Sequence, residues 1–512
     1  MSAWDEECDV LVAGSGAGGM AAAYTAAREG LRVVLVENTD KFGGTTAYSG
    51  GGIYFPNNAA LKRANDDDTP EDAKTYFTSI VGDTSPRELQ EKYLKTGPEL
   101  IDYLEKDSDF FFIIYPWPDY YGEHPKSRPG GRHIAPAPMP RAAIGELDKV
   151  LRQTLFVERR NHTPQEELMG GQSLIGRFLL ALSKKPNADL RLNTELTELV
   201  TENGRVIGAV VKTEKGPKRI RVHGGVIAAA GGFERNAELR ERFGIPGDVG
   251  GAMGPEGNTG MALLAGIDAG ADIDHMDQAW WSPGLMHPDG TKTFTLGFDG
   301  GLFVDSAGMR FTNENKAYDR AGRDFIAQMK KGMKLPFWLV YDNRDGGEPP
   351  IQYPNVPWEE PAKYHAAGLW RSADTIEDLA ENIGVPAESL VATVTRFNEL
   401  AEKGVDPDFG RGGTAYDTLF VGGGFPAKPL LKGPYHAAAF GLSDLGTKGG
   451  LKTDTEARVL DKSGKVIGGL YAAGNTMSPV SGVAYPGGGT PVGSSLAFGY
   501  IAAIDIAKAY KK

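Results

Sequence analysis

Cys8-Asp9-Val10-Leu11-Val12-Ala13-Gly14-Ser15-Gly16-Ala17-Gly18-Gly19 leads into Met20 to Glu29 and then into Leu31 to Val36, which ends on Glu37. The apolar run before Gly14 predicts a short buried strand, the glycines a turn, Met20 to Glu29 a helix and Leu31 to Val36 a second strand. Glycines at the first turn of a helix let the backbone approach a pyrophosphate, and the N–H groups of the helix N-terminus point at it. Glu37 lies 23 positions after Gly14, where an acid accepts a hydrogen bond from a ribose hydroxyl. The unit predicts an α/β chain built on a Rossmann-like dinucleotide-binding domain.

Three more glycine-bearing segments point to FAD rather than NAD as the cofactor. Phe42-Gly43-Gly44-Thr45-Thr46-Ala47-Tyr48-Ser49-Gly50-Gly51-Gly52 follows the acid directly. Gly225 to Phe233 and Gly469 to Asn475 each read as a strand closed by a glycine turn. A chain that returns to its cofactor from distant segments suits an extended FAD. Close to the end, Tyr485-Pro486-Gly487-Gly488-Gly489-Thr490-Pro491 places a phenol and a bare backbone amide before an apolar helix from Val492 to Ala509. Thr490 is expected as its N-cap and Pro491 at its first helical position. The positive end of that helix favours developing negative charge.

Composition excludes several functions. Lys+Arg 55 against Asp+Glu 67 leaves −12, so there is no electrostatic footprint for nucleic acid. Gly 69 is nearly twice the usual share and is spread in clusters, as close approach to a large cofactor requires. The single cysteine, Cys8, excludes an internal disulfide and reads as a buried strand residue. The eight histidines show no metal-ligand spacing, and no serine sits in a nucleophile elbow. The N-terminus, Met1 to Glu7, is acidic without an apolar signal core, and no unbroken apolar stretch has the length of a membrane span. A cytoplasmic protein with at most peripheral membrane contact is expected; Phe110 to Tyr115 is read as a buried strand rather than a membrane-touching segment.

At 512 residues, two or three domains are expected. The expected division is an FAD-binding domain at 1–279, an inserted α+β substrate domain at 280–440, and a return to the FAD-binding domain at 441–512. Leu190-Arg191-Leu192, Gly208 to Lys212 and Ile220 to Val222 read as a small antiparallel meander. Leu390, Val394 and Phe397 have helical spacing and mark a core face. Gly122 to Pro140, with five prolines, reads as a long surface loop or lid.

Tyrosines are the remaining candidates for chemistry: Trp117-Pro118-Asp119-Tyr120-Tyr121, the segment from Arg310 to Asp319 containing Tyr318, and Tyr485. Over almost its whole length the chain resembles 3-ketosteroid Δ1-dehydrogenase, a branch of the fumarate reductase flavoprotein superfamily. The resemblance rests on Gly14 to Gly19 with Glu37, Phe42 to Gly50, Trp117 to Tyr121 and Asp277-Gln278-Ala279-Trp280. It continues through Tyr318-Asp319-Arg320-Ala321-Gly322-Arg323, Ser443-Asp444-Leu445-Gly446-Thr447-Lys448-Gly449-Gly450, Gly474-Asn475-Thr476 and Tyr485 to Gly489. The resemblance implies that the Tyr485 hydroxyl and the Gly489 N–H hold the C3 carbonyl of a 3-ketosteroid. It implies that Tyr318 removes the C2 proton with help from Tyr120, and that flavin N5 takes the hydride from C1. A phenol with an ordinary pKa of about 10 needs neighbours to act as a base near neutrality, and a second phenol and a helix end are the expected ones.

The cofactor-lining set expected is Gly14, Ser15, Gly16, Ala17, Gly18, Gly19, Glu37 and Asn38 from the first unit. Gly44, Thr45, Thr46, Ser49, Gly50 and Gly51 follow it, with Leu199, Ala230, Gly231 and Gly232, then Gly474, Asn475, Pro491 and Val492. No histidine lies between Gly43 and Gly52, so noncovalent FAD is expected, with a quinone or dye-like external acceptor rather than NAD. The alternatives are desaturation at C4–C5 of 5α-saturated 3-ketosteroids and a fumarate reductase-like flavoprotein. Against the latter, no arginine occurs between Arg242 and Arg310 to grip a dicarboxylate.

Overall fold

The structure is a computed structural model describing residues 4–510; Met1 to Ala3 of the acidic N-terminal segment lie outside the described residues. The chain opens with β1 (Glu6–Ala13), α1 (Ala17–Arg28) and β2 (Val33–Val36). β1 pairs in parallel with β2 from Val10↔Val33 to Ala13↔Val36. Both faces of a central parallel strand are covered, which is why Val10, Leu11 and Val12 run without a polar break and are fully buried. Gly14 has φ +102°, and a Cβ there would lie 2.3 Å from the Ala229 carbonyl oxygen, so the turn admits only glycine.

Further along come β3 (Ala188–Arg191), β4 (Glu195–Glu202), β5 (Arg205–Thr213) and β6 (Gly216–Ala228). β4, β5 and β6 form an antiparallel meander; Gly208 to Lys212 and Ile220 to Val222 fall in it as expected, and one expected strand falls elsewhere. Leu190 and Arg191 belong to β3, which lies parallel to β2 in the main sheet. The first strand of the meander is instead β4, whose Glu195, Thr197 and Glu198 mask it in the sequence. β6 runs unbroken through Gly224 and Gly225, because side chains there would strike Ile506 and Tyr471 of the packed interior.

A second, antiparallel sheet holds β7 (Ala279–Met286), β8 (Lys292–Phe298) and β9 (Leu302–Val304), followed by α2 (Tyr318–Lys330), β10 (Phe337–Asp342) and β11 (Tyr435–Thr447). Its order is β9-β10-β11-β7-β8, extended by Ile351–Pro354. The helix Ala387–Lys403 closes a core here on Leu390, Val394 and Phe397, all buried. β11 is one continuous strand and spans the expected boundary at 440/441. β12 (Val466–Ala472) then returns to the first sheet in parallel with β6, and α3 (Thr490–Tyr510) ends the described chain.

α3 is long and apolar enough to cross a membrane, with 56% of its apolar window buried inside the fold. It lies so close on α1 that a Cβ at Gly499 would come within 2.2 Å of the Gly18 carbonyl. Thr490 is not its N-cap: its hydroxyl donates to the Gly487 carbonyl at 2.7 Å, and Gly489, with φ +83°, turns the chain into the helix.

Two surface expectations are corrected. Gly122 to Pro140 is a loop only in its first half, since Arg132 and His133 are buried and His133–Pro136 is a strand pairing with Ile53–Tyr54 and Phe112–Ile114. Arg132 enters the interior because Asp68 and Asp119 neutralise it. Phe112–Ile114 is the edge strand of that small sheet, so only one face is covered. Phe110 and Phe112 are buried, whereas Phe111 is 50% exposed, and Ile113, Ile114 and Tyr115 are each about 40% exposed.

Candidate active site

The parallel strands β1, β2 and β6 end on one side of the sheet, where α1 begins with Gly16 at its N-cap, which has no side chain to cap it, and the Ala17 N–H donates to the Thr46 hydroxyl at 3.0 Å. Crevices outside the carboxyl ends of parallel strands are where such sheets bind ligands. The cavity there measures about 840 Å³ and continues beyond the sheet into an aromatic chamber.

Its first half is lined by Gly14 to Gly18, Glu37, Asn38, Gly44 to Thr46, and Ser49 to Gly51. Ala230, Gly231, Gly474, Asn475, Pro491 and Val492 complete that half. Three expected residues do not line it. A Cβ at Gly19 would lie 1.9 Å from the Gly14 carbonyl, so this glycine packs the helix onto the turn. Gly232 faces Thr447, and Leu199 is buried in β4. Thr194 and Leu196 take its place at the wall, because the Thr194 N–H donates to the Glu37 carbonyl and sets the start of β4 beside β2.

Glu37 also does local work: one carboxylate oxygen accepts from the Ser15 hydroxyl at 2.6 Å and the other from the Thr39 hydroxyl at 2.8 Å. A carboxylate has further lone pairs, so a ribose hydroxyl remains within its capacity. Helix N–H groups, an acid at the second strand and a long glycine-walled groove fit FAD.

The second half is built around three phenols. α2 begins at Tyr318, and its Asp319 accepts from the Trp281 N–H at 3.1 Å and from Arg323 at 2.8 Å. An acid in the first turn suits the helix dipole, and Gly322 lets the helix lie directly on β7 at Trp281. Tyr318 is thereby aimed at the loop from Val483 to Gly489, and its hydroxyl donates to that of Tyr485 at 2.8 Å. The Gly489 N–H lies within interaction reach of the Tyr485 oxygen. Gly489 cannot carry a side chain, since a Cβ would lie 2.3 Å from Gly52. The Tyr120 ring centroid stands 5.5 Å from that of Tyr318 and 5.1 Å from that of Tyr485, and its N–H donates to the Pro486 carbonyl. Tyr121 lies outside the cavity, beneath the Arg320 guanidinium.

Burial, more than any neighbour, pushes the Tyr318 pKa well above the ordinary phenol value, and the Tyr120 and Tyr485 phenols push it further. Burial raises Tyr120 and Tyr485 as well. The expectation that neighbouring groups ease Tyr318 toward base strength is therefore reversed in the resting protein, which holds three neutral phenols.

Trp117, Met253, Trp280, Phe294, Leu296 and Phe420 wall the chamber, and among the described residues no lysine or arginine lines the cavity. Phe294 and Met253 carry no sequence signal, because an aromatic or thioether in a strand or loop reads as core. Trp280 is marked only by the motif around it. Cys8 is buried in β1 away from the cavity, with its thiol pushed up to about 12 by burial.

A match to the FAD binding domain family runs from residue 9 to residue 492. A 3-oxosteroid 1-dehydrogenase of Mycobacterium tuberculosis is 37% identical over 556 residues, covering 98% of each chain. The chain belongs to the 3-oxosteroid 1-dehydrogenase family of FAD-binding flavoproteins. Within the family, the 3-ketosteroid Δ1-dehydrogenase from Sterolibacterium denitrificans in complex with 1,4-androstadiene-3,17-dione matches with a TM-score of 0.89. It is 31% identical, over 98% of this chain and 100% of that one. A 4-oxocyclohex-2-ene-1-carboxylate 5-dehydrogenase of Sinomonas cyclohexanicum is 33% identical over 98% of this chain and 94% of its own.

As in any noncovalent flavoprotein, acid or heat denaturation of this family member is expected to release free yellow flavin into the supernatant. Flavin that stays with the precipitated chain would overturn that expectation. Glu37→Ala is expected to lower FAD retention, because it removes the ribose acceptor and frees Ser15 and Thr39. An unchanged flavin-to-protein ratio after dialysis would show that another group holds the ribose.

Proposed function

We propose that the chain removes a proton from C2 and a hydride from C1 of a 3-ketosteroid, leaving a C1–C2 double bond. The observation that carries this reading is the Tyr318–Tyr485–Gly489 cluster, set in an apolar chamber continuous with the FAD groove. The Tyr485 hydroxyl and the Gly489 N–H donate to the ketone oxygen, and both bonds strengthen as negative charge moves onto it. The Tyr318 oxygen, as the phenolate left once its own proton has passed to solvent, takes the C2 proton, and the two electrons of that C–H bond become the new double bond. FAD, when bound, supplies the acceptor for the hydride that leaves C1. The aromatic walls exclude water from the enolate-like centre. A carboxylated cyclic ketone would bring a charge that no lysine or arginine of this cavity meets, whereas a steroid body matches the walls.

Anaerobic addition of androst-4-ene-3,17-dione is expected to bleach the flavin and yield a product two mass units lighter. A 5α-saturated 3-ketosteroid lacking Δ4 separates the alternative: exclusive C4–C5 desaturation of that compound would overturn the assignment to C1–C2. The electron acceptor is external and not a nicotinamide, because the one strand–glycine–helix unit is the FAD site. Turnover with a dye acceptor but not with NAD or NADP is expected, and robust NAD reduction would refute this.

Exposed Phe111, Ile113 and Ile114 run into Tyr115, which lines the cavity together with the exposed Phe156 and Tyr353. This apolar rim supports peripheral docking on a lipid surface that delivers steroid. Replacing Ile113 and Ile114 with Asp is expected to reduce co-sedimentation with liposomes; unchanged co-sedimentation would dismiss the rim as the contact.

A further inference from the structure

Two cations near the site take no part in the reaction as derived above. Lys448 Nζ donates to the Ala484 carbonyl at 2.6 Å, and Arg323 Nη2 donates to the Val483 carbonyl at 2.5 Å. These are the two carbonyls immediately before Tyr485. We infer that Lys448 and Arg323 form a cationic clamp on consecutive carbonyls that fixes the Tyr485 hydroxyl relative to Tyr318, making Lys448 a positioning residue for the ketone end of the site. The inference rests on the reaction proposed above.

Lys448 reaches this place from the loop after β11, where its own N–H donates to the Gln278 carbonyl at 2.8 Å. Its side chain is buried, and Nζ stands 4.0 Å from the centroid of the Trp280 ring. That ring meets Tyr485 edge-on at 4.8 Å and is itself held by a bond from its Nε1 to Asn475 Oδ1 at 3.2 Å. One ammonium therefore secures both the backbone that carries Tyr485 and the indole against which its ring leans.

The Arg323 half ties the same loop to the base. Arg323 Nε bonds Asp319, the residue directly after Tyr318, and Nη1 bonds Gln278 at 3.1 Å. A chain of contacts thus runs from Tyr318 through Asp319 and Arg323 to Val483 and Tyr485. A hydroxyl that must meet a developing oxyanion gains its effect from such fixed geometry.

Among the described residues no carboxylate forms an ion pair with Lys448; Asp319 attracts it from a distance and Arg323 repels it. Burial pushes its pKa down to about 7, and both the ammonium and the amine keep an N–H for Ala484. An ammonium buried without a carboxylate is unfavourable, and a methionine of similar length would fill the space without that penalty. What methionine lacks is the bond to the Ala484 carbonyl.

Lys448→Met is therefore expected to slow flavin reduction by saturating 3-ketosteroid by about ten- to a hundred-fold, the cost of misplacing a catalytic group by up to 1 Å. Steroid affinity and FAD content should change little, and amide hydrogen exchange should quicken across residues 481–489. Arg323→Met is expected to act in the same way, and Arg323→Lys, which keeps a donor, to recover most of the rate. The Arg323 side chain is 30% exposed, so its variants carry the test if Lys448→Met does not fold. Wild-type reduction and wild-type exchange in Lys448→Met, or in Arg323→Met where the former cannot be purified, overturn the clamp. A wild-type protein that no 3-ketosteroid reduces would instead remove the reaction proposed above, and exchange at 481–489 would still decide the clamp.

Discussion

Tyr318→Phe should bind steroid and yet reduce its flavin roughly 10³–10⁴-fold more slowly, the upper part of the range for losing a general base. The substitution removes the oxygen that takes the C2 proton and leaves the ketone donors, Tyr485 and Gly489, in place. The ring keeps its edge contacts with Phe294 and Tyr120, so the chamber holds its shape. FAD content should equal wild type, because the Tyr318 hydroxyl is engaged by the Tyr485 and Tyr120 phenols. Rapid-mixing reduction under anaerobic conditions measures the effect, and a wild-type rate would break the mechanism whatever the fold.

The same base dictates the pH dependence. A group that acts deprotonated gains activity as pH rises, and burial has moved Tyr318 above the ordinary phenol value of about 10. The rate constant kcat/KM, which reports free-enzyme groups, should therefore climb toward alkaline pH without a plateau below about pH 10. A plateau near neutrality would identify a different base.

Tyr485→Phe should fail differently. It deletes one of two donors to the forming oxyanion, a loss of about 2.7–4 kcal/mol or roughly 10²–10³ in rate. The Gly489 N–H remains, locked by its tight fit against Gly52, so residual reduction should exceed that of Tyr318→Phe. Freed from its bond to Tyr485, the Tyr318 hydroxyl also loses a neighbour that raised its pKa, and the alkaline limb should move to lower pH. Equal rates in the two variants, or a limb that stays in place, would show that Tyr485 is not the ketone donor acting beside Tyr318.

Much of the cofactor half is legible in the sequence. Strand, turn, helix and strand from Cys8 to Glu37 are neighbours along the chain, and the hydrogen bonds and φ angles that define them are set within a few residues. The aromatic half is legible only through resemblance, since Tyr318 and Tyr485 lie 167 residues apart and are two among Tyr 19. Spacing along the chain gives no reason to choose them. Polar residues also hide β4, and the parallel pairing of β3 beside β2 cannot be told from a meander by its composition.

Two features thus follow from the order of residues alone: the Rossmann-like unit and the glycine-rich approach of several segments to one cofactor. Tertiary contacts were needed to show that Gly19, Gly232 and Leu199 pack rather than line, that Glu37 is shared with Ser15 and Thr39, and that the three phenols are held neutral. The difference arises because backbone conformation follows from local sterics and hydrogen bonding. Burial, and with it the charge state of a phenol or the closeness of two backbones, depends on which distant segments meet, and that is settled when the two sheets and α3 close around the cavity.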